Sequence, residues 1–180
     1  MDETSERALV EHTLRGDARS FERLVEKYQR PLFNVAFRML NDPEDSLDVT
    51  QTAFLKAYDK LGTYDSRHRF FSWIYRILVN ESLNLIDRRR TAVPVPEELP
   101  SRSPAPDDAC YGSEVARAVQ AALQQLTTVY RTVIVLRYWG DMSHREIADV
   151  LDVPEKTVKS RLFTARRRLS ELLGEKGEVR

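Results

Sequence analysis

Between Lys156 and Arg168 the chain sets Lys156, Lys159, Arg161, Arg166, Arg167 and Arg168 with no acidic residue among them, and Thr157 and Ser160 stand in between. Cations and hydroxyls in such a run do no covalent chemistry; they meet phosphates and donate to base edges. If all six cations met phosphates, the salt slope of binding would be roughly −5 at about −0.9 per contact. A second constellation begins at Phe70, with Phe71, Trp73 and Tyr75 close behind, then Arg76, Asn80, Asn84 and Asp87 at helical spacing and Arg88, Arg89 and Arg90 at the end. Aromatic faces beside cations and amides suit a single strand: bases stack on rings, phosphates meet arginines and amides read base edges. The same four aromatics have a second reading as core, and each taken singly is more often core than platform.

A third group lies in residues 42–61, DPEDSLDVTQTAFLKAYDKL, whose acidic first turn suits a helix N-terminus. Helical spacing sets Asp45, Asp48, Gln51 and Lys56 on its outer side and Leu47, Ala53, Phe54 and Ala57 on its inner side. Covalent chemistry has no comparable anchor. There is no GxGxxG, GxxxxGK[ST] or GxSxG, so nucleotide hydrolysis and serine-type acyl transfer lack their usual motifs. His12, His68 and His144 are scattered, and no second Cys or His stands at ligand spacing. The expectation is a chain with no enzymatic activity, no cofactor and no metal. Cys110 alone excludes an internal disulfide, and its two readings are a bystander and a redox-sensing thiol.

The elements that must position these residues read as helices throughout. Ser143 with Glu146 spells a capping box, and Ile147, Ala148 and Leu151 share a face behind it. Asp152 stands where the chain must turn, Pro154 suits the first turn of a new helix, and Val158, Leu162, Ala165, Leu169, Leu172 and Leu173 form an inward stripe. Two helices across a tight turn form a helix-turn-helix. Its second helix starts in the major groove, so Glu155, Lys156, Thr157, Lys159, Ser160 and Arg161 are within reach of base edges, and Arg166 and the later arginines suit phosphates.

Upstream, helices are predicted over 5–15 with Leu9, Val10 and Leu14 as its apolar set, over 19–40 with Pro31 kinking or dividing it, from Asp42-Pro43 to Leu61, and over 71–89. Residues 62–68 read as a loop. Helices over 113–126 and 128–139 lead into the helix-turn-helix; TVIVLRYW favours strand by propensity but sits between helical contexts. Residues 91–111, TAVPVPEELPSRSPAPDDACY, hold five prolines without periodicity and read as a flexible linker. The fold class is therefore all-α, with small helical domains at 1–90 and 112–180.

The 180 residues carry 28 basic and 28 acidic groups, which argues against an indiscriminate nucleic-acid binder. Residues 112–180 hold 12 basic against 9 acidic groups, so the positive excess sits with the helix-turn-helix. The opening MDETSERALVEH lacks the form of a secretory signal, and no apolar run approaches 18 residues. A cytoplasmic chain with no membrane insertion is expected.

In this order, the DxxQxxFLKAY helix, the FSWIYRI helix ending in RRR, and REIADVLDVPEKTVKSRLFTARRRL resemble a bacterial extracytoplasmic-function, group IV, RNA polymerase sigma factor. TVIVLRYWGDMSHREIA, with Leu126 and Tyr130 ahead of it, is also similar to the family's stretch at that place. The resemblance covers nearly the whole chain outside the linker. It implies a sigma region 2 domain that binds the polymerase clamp and reads and melts the −10 element, and a sigma region 4 domain that reads the −35 element. By the resemblance, Asp45, Asp48, Gln51 and Phe54 bind the clamp. Tyr64, Arg67, Phe70, Phe71, Trp73, Tyr75 and Arg76 serve the −10 element, with Tyr64 to Arg69 lining a pocket for an extruded base and Asn80, Asn84 and Arg88 reading the unpaired strand. The −35 element falls to Glu155, Lys156, Thr157, Lys159, Ser160, Arg161 and Arg166. Core RNA polymerase and promoter DNA, duplex at −35 and single-stranded at −10, are the implied partners, together with an anti-sigma factor. Thr52 stands where the family commonly has glutamate, and Asp152 where it commonly has glycine. The second function class is a helix-turn-helix regulator that binds duplex DNA without joining a polymerase, for which the aromatic helix and the Asp48/Gln51 helix would have no use.

Overall fold

The computed structural model describes residues 3–91 and 113–177, with side chains from Ser5 and as far as Gly174. The expected linker, with Cys110, lies outside the described residues apart from Thr91, which ends a helix. Among the described residues the fold is all-α, in two helical groups. The first comprises α1 (Glu3–Leu14), α2 (Ala18–Leu40), α3 (Pro43–Asp59) and α4 (Phe70–Thr91), with a 3-10 turn at Leu61–Thr63 opening the loop before α4. The second comprises α5 (Glu114–Gln125), α6 (Thr128–Tyr138), α7 (His144–Leu151) and α8 (Glu155–Gly177). TVIVLRYW is helical, its propensity overridden by burial of Val133 to Leu136.

α2 is the spine of the first group. Its N-terminus is capped by Asp17, which accepts from the Arg19 amide at 3.1 Å and the Ser20 hydroxyl at 2.7 Å. The helix runs unbroken through Pro31, whose ring lies on the exposed side, so the two alternatives of kink and division resolve to one helix of 23 residues. Leu24, Leu32, Val35, Ala36 and Met39 are fully buried against α3 and α4. α1 packs on α2 through Leu9 and Val10, and Glu6 accepts hydrogen bonds from both Lys27 and Tyr28. Leu14, expected on the apolar face of α1, points to solvent. α3 starts as its sequence asks: Asp42 accepts from the Asp45 amide at 2.9 Å, and Pro43 sits in the first turn where a missing amide proton costs nothing.

The second group is built on Leu123, Val133, Leu136, Met142, Ile147, Val158, Leu162 and Ala165, all buried. The capping box of α7 is formed, with the Glu146 amide donating to Ser143 Oγ at 3.2 Å and the Ser143 amide donating to Glu146 Oε2 at 2.9 Å. Asp152 adopts the left-handed conformation, φ 52°, and Val153 donates to Ala148 O at 3.1 Å, closing the helix end. Pro154 stands just before α8 rather than inside its first turn, and its carbonyl accepts from Thr157 at 2.8 Å.

Gly140, between α6 and α7, is required by a close approach. A Cβ there would stand 2.7 Å from the backbone oxygen of Leu136, which also accepts from Met142. Gly140→Ala is therefore expected to destabilise the second group by about 1–3 kcal/mol and lower its melting temperature by several degrees in a circular-dichroism melt. An unchanged melt would show that the turn relaxes freely.

Candidate nucleic-acid interface

The polar stripe of α4 is displayed along one face. Arg76, Asn80, Asn84 and Arg88 are all exposed, one turn apart, and Arg88 reaches back to Asn84 O at 3.3 Å. Below the stripe, the aromatic cluster resolves into core and rim. Phe70 and Tyr75 are 2% and 1% exposed, so the platform reading is corrected for these two: they fill the core, and burial pushes the Tyr75 phenol well above its ordinary range. The reason is α2 and the preceding loop, which lay Tyr28 and Tyr64 against Phe70 at centroid distances of 5.8 Å each. Phe71 and Trp73 stay half-buried, with Trp73 against Tyr64 at 5.3 Å and Phe71 against Tyr75 at 4.6 Å.

The loop ahead of α4 is pinned by its own polar groups. Tyr64 donates to His68 O at 2.5 Å, and Arg7 of α1 donates to Ser66 O. Asp65 takes the Arg67 side chain at 2.6 Å and its amide at 2.9 Å. These hydrogen bonds from Arg67 hold the Asp65 carboxyl down at about 2. Arg67 is thus exposed but already paired, in contrast to a guanidinium waiting for phosphate.

On α3, Asp48 and Gln51 face solvent and Phe54 faces inward as their spacing predicts; Leu47 and Asp45 depart from their predicted sides, and the burial of Phe54 stands against the clamp role that the resemblance gave it. Leu47, predicted inward, is half exposed; Phe54 is 8% exposed and belongs to the core; Asp45 turns toward α4 and pairs with Arg89. The turn of α3 on its axis is set by Val49, Ala53 and Ala57, which bury against α2 and α4 and leave Leu47, Asp48, Gln51 and Leu55 on one outer face. Leu55, at 68% exposure, is the most exposed residue of this apolar patch, and the sequence pattern did not mark it. Lys56 pairs with Glu81 at 2.7 Å, a second tie between α3 and α4.

α8 presents Lys156, Lys159, Ser160 and Arg166 to solvent, with Thr157 and Arg161 half-buried beside them. Not all its cations point the same way. Lys159 pairs with Glu155 at 2.8 Å, and Arg168 lies over the Tyr130 ring at 4.9 Å, toward α6. The −5 salt slope is thus an upper limit in which Arg168 has no part. Phe163, missed in the sequence reading, is 70% exposed in the middle of this basic face. The ring stands among the cations and outside the apolar stripe that packs α8. Its signal was available: it falls outside the Val158–Leu162–Ala165 stripe.

The two groups meet along polar contacts. Glu146 accepts from Arg69 at 2.5 Å, and Arg76 donates to Asp149 O, so α7 sits across the beginning of α4. Although partial burial acts to raise it, the Glu146 carboxyl lies below its ordinary range because the Ser143 amide and hydroxyl and the Arg69 guanidinium favour its charge.

Residues 24–91 match the family described as Sigma-70 region 2, and residues 116–169 match Sigma-70, region 4. Over its length the chain is similar to the RNA polymerase sigma-H factor of Pseudomonas aeruginosa, at 31% identity over 96% of each chain. It is similar also to the ECF RNA polymerase sigma-E factor of Escherichia coli strain K12, at 31% identity over 92% of each. Among solved structures it resembles CnrH in complex with the cytosolic domain of CnrY, with a TM-score of 0.73 and 28% identity over 95% of this chain and 98% of that one. The sigma factor RpoE bound to the anti-sigma factor NepR from Bartonella quintana shares the fold, with a TM-score of 0.69 at 23% identity over 86% and 96%.

Proposed function

The chain belongs to the extracytoplasmic-function sigma factors of RNA polymerase, and from that premise we propose how its faces divide the work of initiation. Residues 1–90 form the domain that joins core polymerase and handles the −10 element, and residues 112–180 form the domain that reads −35, with 91–111 connecting them. The outer face of α3, with Asp48 and Gln51 beside Leu47 and Leu55, docks on the polymerase. The stripe Arg76, Asn80, Asn84 and Arg88 takes the unpaired strand, with Tyr64, Phe71 and Trp73 at its entrance and Phe70 and Tyr75 as the packing beneath. Lys156, Thr157, Lys159, Ser160, Arg161 and Arg166, with Phe163 among them, meet the −35 duplex.

The observation that carries this reading is the coexistence, on one small helical group, of an exposed acidic and apolar patch on α3 and an exposed amide stripe on α4. A regulator of duplex DNA needs neither, and family membership sets that alternative aside. Strand opening is driven by binding: extruding a base costs a few kcal/mol, which contacts on the entrance and stripe repay. We assign the chain no reaction of its own, no cofactor and no metal. No helix among the described residues is long and apolar enough to cross a membrane, and we place the chain with polymerase in the cytoplasm. An anti-sigma partner is proposed from the solved complexes that the fold matches.

In vitro transcription with core enzyme on a randomised promoter library tests the reading. The expected result is enrichment of two conserved elements one spacer apart, and duplex binding at physiological salt that is weak for the chain alone and tight with core present. Sequence-specific duplex binding by the isolated chain, with no transcription, would overturn it.

A further inference from the structure

Arg7 stands on α1, outside every face assigned above, and its guanidinium donates to the backbone oxygen of Ser66 in the loop ahead of α4, 59 positions away. The register that aims it is fixed one residue earlier. Glu6 is 4% exposed, and its carboxylate accepts from Lys27 and from the Tyr28 hydroxyl on α2, which holds this part of α1 against turning on its axis. Burial, and then the Glu6 carboxylate beside it, push the Tyr28 phenol well above its ordinary range, so the hydroxyl keeps its proton and donates. The Tyr28 ring packs on Phe70 at 5.8 Å and on Phe71 at 6.2 Å, and Phe70 packs on Tyr64 and Trp73 at 5.8 and 5.7 Å. α1 thus supports the loop twice, from beneath through Tyr28 and the rings and from outside through Arg7.

The loop's own bonds give it a shape without fixing where that shape sits. Tyr64 to His68 O, Arg67 to Asp65 and the His68 amide to Asp65 O at 3.0 Å all close between Tyr64 and His68. A turn closed on itself can swing as a body about its ends, and the bond from Arg7 ties its middle to a helix. Arg7 is exposed, so its bond adds little to the stability of the fold and acts on where the turn is held. Resting on the assignment of this loop to the entrance of the strand path, we propose that Arg7 is a positioning residue for the −10 element: it holds the loop in the conformation that takes an extruded base and so sharpens base preference there without touching DNA. A loop already in place needs none of the contact energy for ordering. Without the bond the competent conformation becomes a fraction of the loop's population, and the apparent affinity for the base falls by that fraction. One hydrogen bond of ordinary net strength sets the loss at about three- to ten-fold.

Transcription with core enzyme on templates randomised across the −10 element tests this with the full chain, its Arg7→Ala variant and its Arg7→Lys variant. Arg7→Ala should lower output about three- to ten-fold and flatten the preference at one −10 position, while preferences at the other −10 positions, the −35 footprint and competition for core stay as in wild type. Its melting temperature should stay within about 2 °C of wild type. Arg7→Lys, which can still donate to Ser66 O, should recover most of the preference. The salt dependence of open-complex formation separates positioning from direct contact: a cation that met a strand phosphate would take about 0.7 from the slope when removed and would weaken all sequences alike. Such a change of slope with a uniform loss overturns the proposal, and so does an Arg7→Ala variant with the wild-type preference. A third variant, Asp65→Gly with Arg67→Gly, dissolves the loop's internal pair. Wild-type −10 preference in that variant overturns the loop's place at the entrance, whereas an altered preference there with Arg7→Ala unchanged overturns the role of Arg7 alone.

Discussion

Asp48→Arg is expected to abolish association with core polymerase while leaving the fold intact. Asp48 is exposed on the outer face of α3, one turn from Gln51 and next to Leu47, and its carboxylate makes no hydrogen bond or ion pair among the described residues. Surface substitutions of that kind change stability by about 0.5 kcal/mol or less. Reversing a charge that meets a complementary partner, by contrast, costs several kcal/mol, or at least a hundred-fold in affinity. Competition for labelled core enzyme measures it, and a circular-dichroism melt on the same variant checks that the fold is intact. Unchanged competition would remove α3 from the polymerase interface. Leu55→Ala, a loss of apolar contact with no charge change, is expected to weaken the same competition to a smaller degree.

How far α3 could be read from sequence depends on what fixes each side chain. Periodicity finds α3 and its buried Ala53 and Ala57, and the Asp42–Pro43 start is a local signal that the structure follows. That Leu47 faces out and Asp45 turns to Arg89 is a matter of rotation about the helix axis, and that is decided by where α2 and α4 lie against it, a tertiary fact. The aromatic cluster shows the same limit. Four rings in six positions wrap most of a helix, so some must be core and some rim, and the packing of the neighbouring elements, not the spacing, puts Phe70 and Tyr75 in the core and leaves Phe71 and Trp73 half-buried.

The helix-turn-helix was legible nearly residue by residue because its signals are local: a capping box, an αL aspartate and a proline before the next helix. Asp152 shows what the usual glycine is for. Its backbone takes φ 52° and ψ 50°, a region aspartate enters at a modest cost, and the turn keeps its closing bond from Val153. The contacts of α5 and α6 with the end of α2 lay at the other extreme. Gln120, Gln124 and Arg131 bond to main-chain carbonyls more than 80 positions away, and a backbone acceptor has no residue type for a pattern to find.

Replacing both stripe amides, Asn80→Ala with Asn84→Ala, is expected to reduce open-complex formation by roughly 30-fold to more than 10³-fold, at about 1–3 kcal/mol for each base edge left unread. Both amides are exposed on consecutive turns of α4, so their removal leaves no cavity and no buried group unpaired, and the helix keeps its core through Ile74, Leu78 and Val79. Permanganate reactivity of unpaired thymines measures the opening. The −35 footprint should persist, because α8 is untouched. A template already unpaired at −10 separates two contributions. It removes the cost of unstacking and pair breakage, but it cannot replace hydrogen bonds to the bases, so it should restore only part of the lost activity. Complete restoration would assign the asparagines to opening alone, and wild-type opening on duplex templates would take them out of strand recognition. The partial result is the one expected of the proposed strand path, since Asn80 and Asn84 stand further along α4 than the half-buried Phe71 and Trp73 proposed as its entrance.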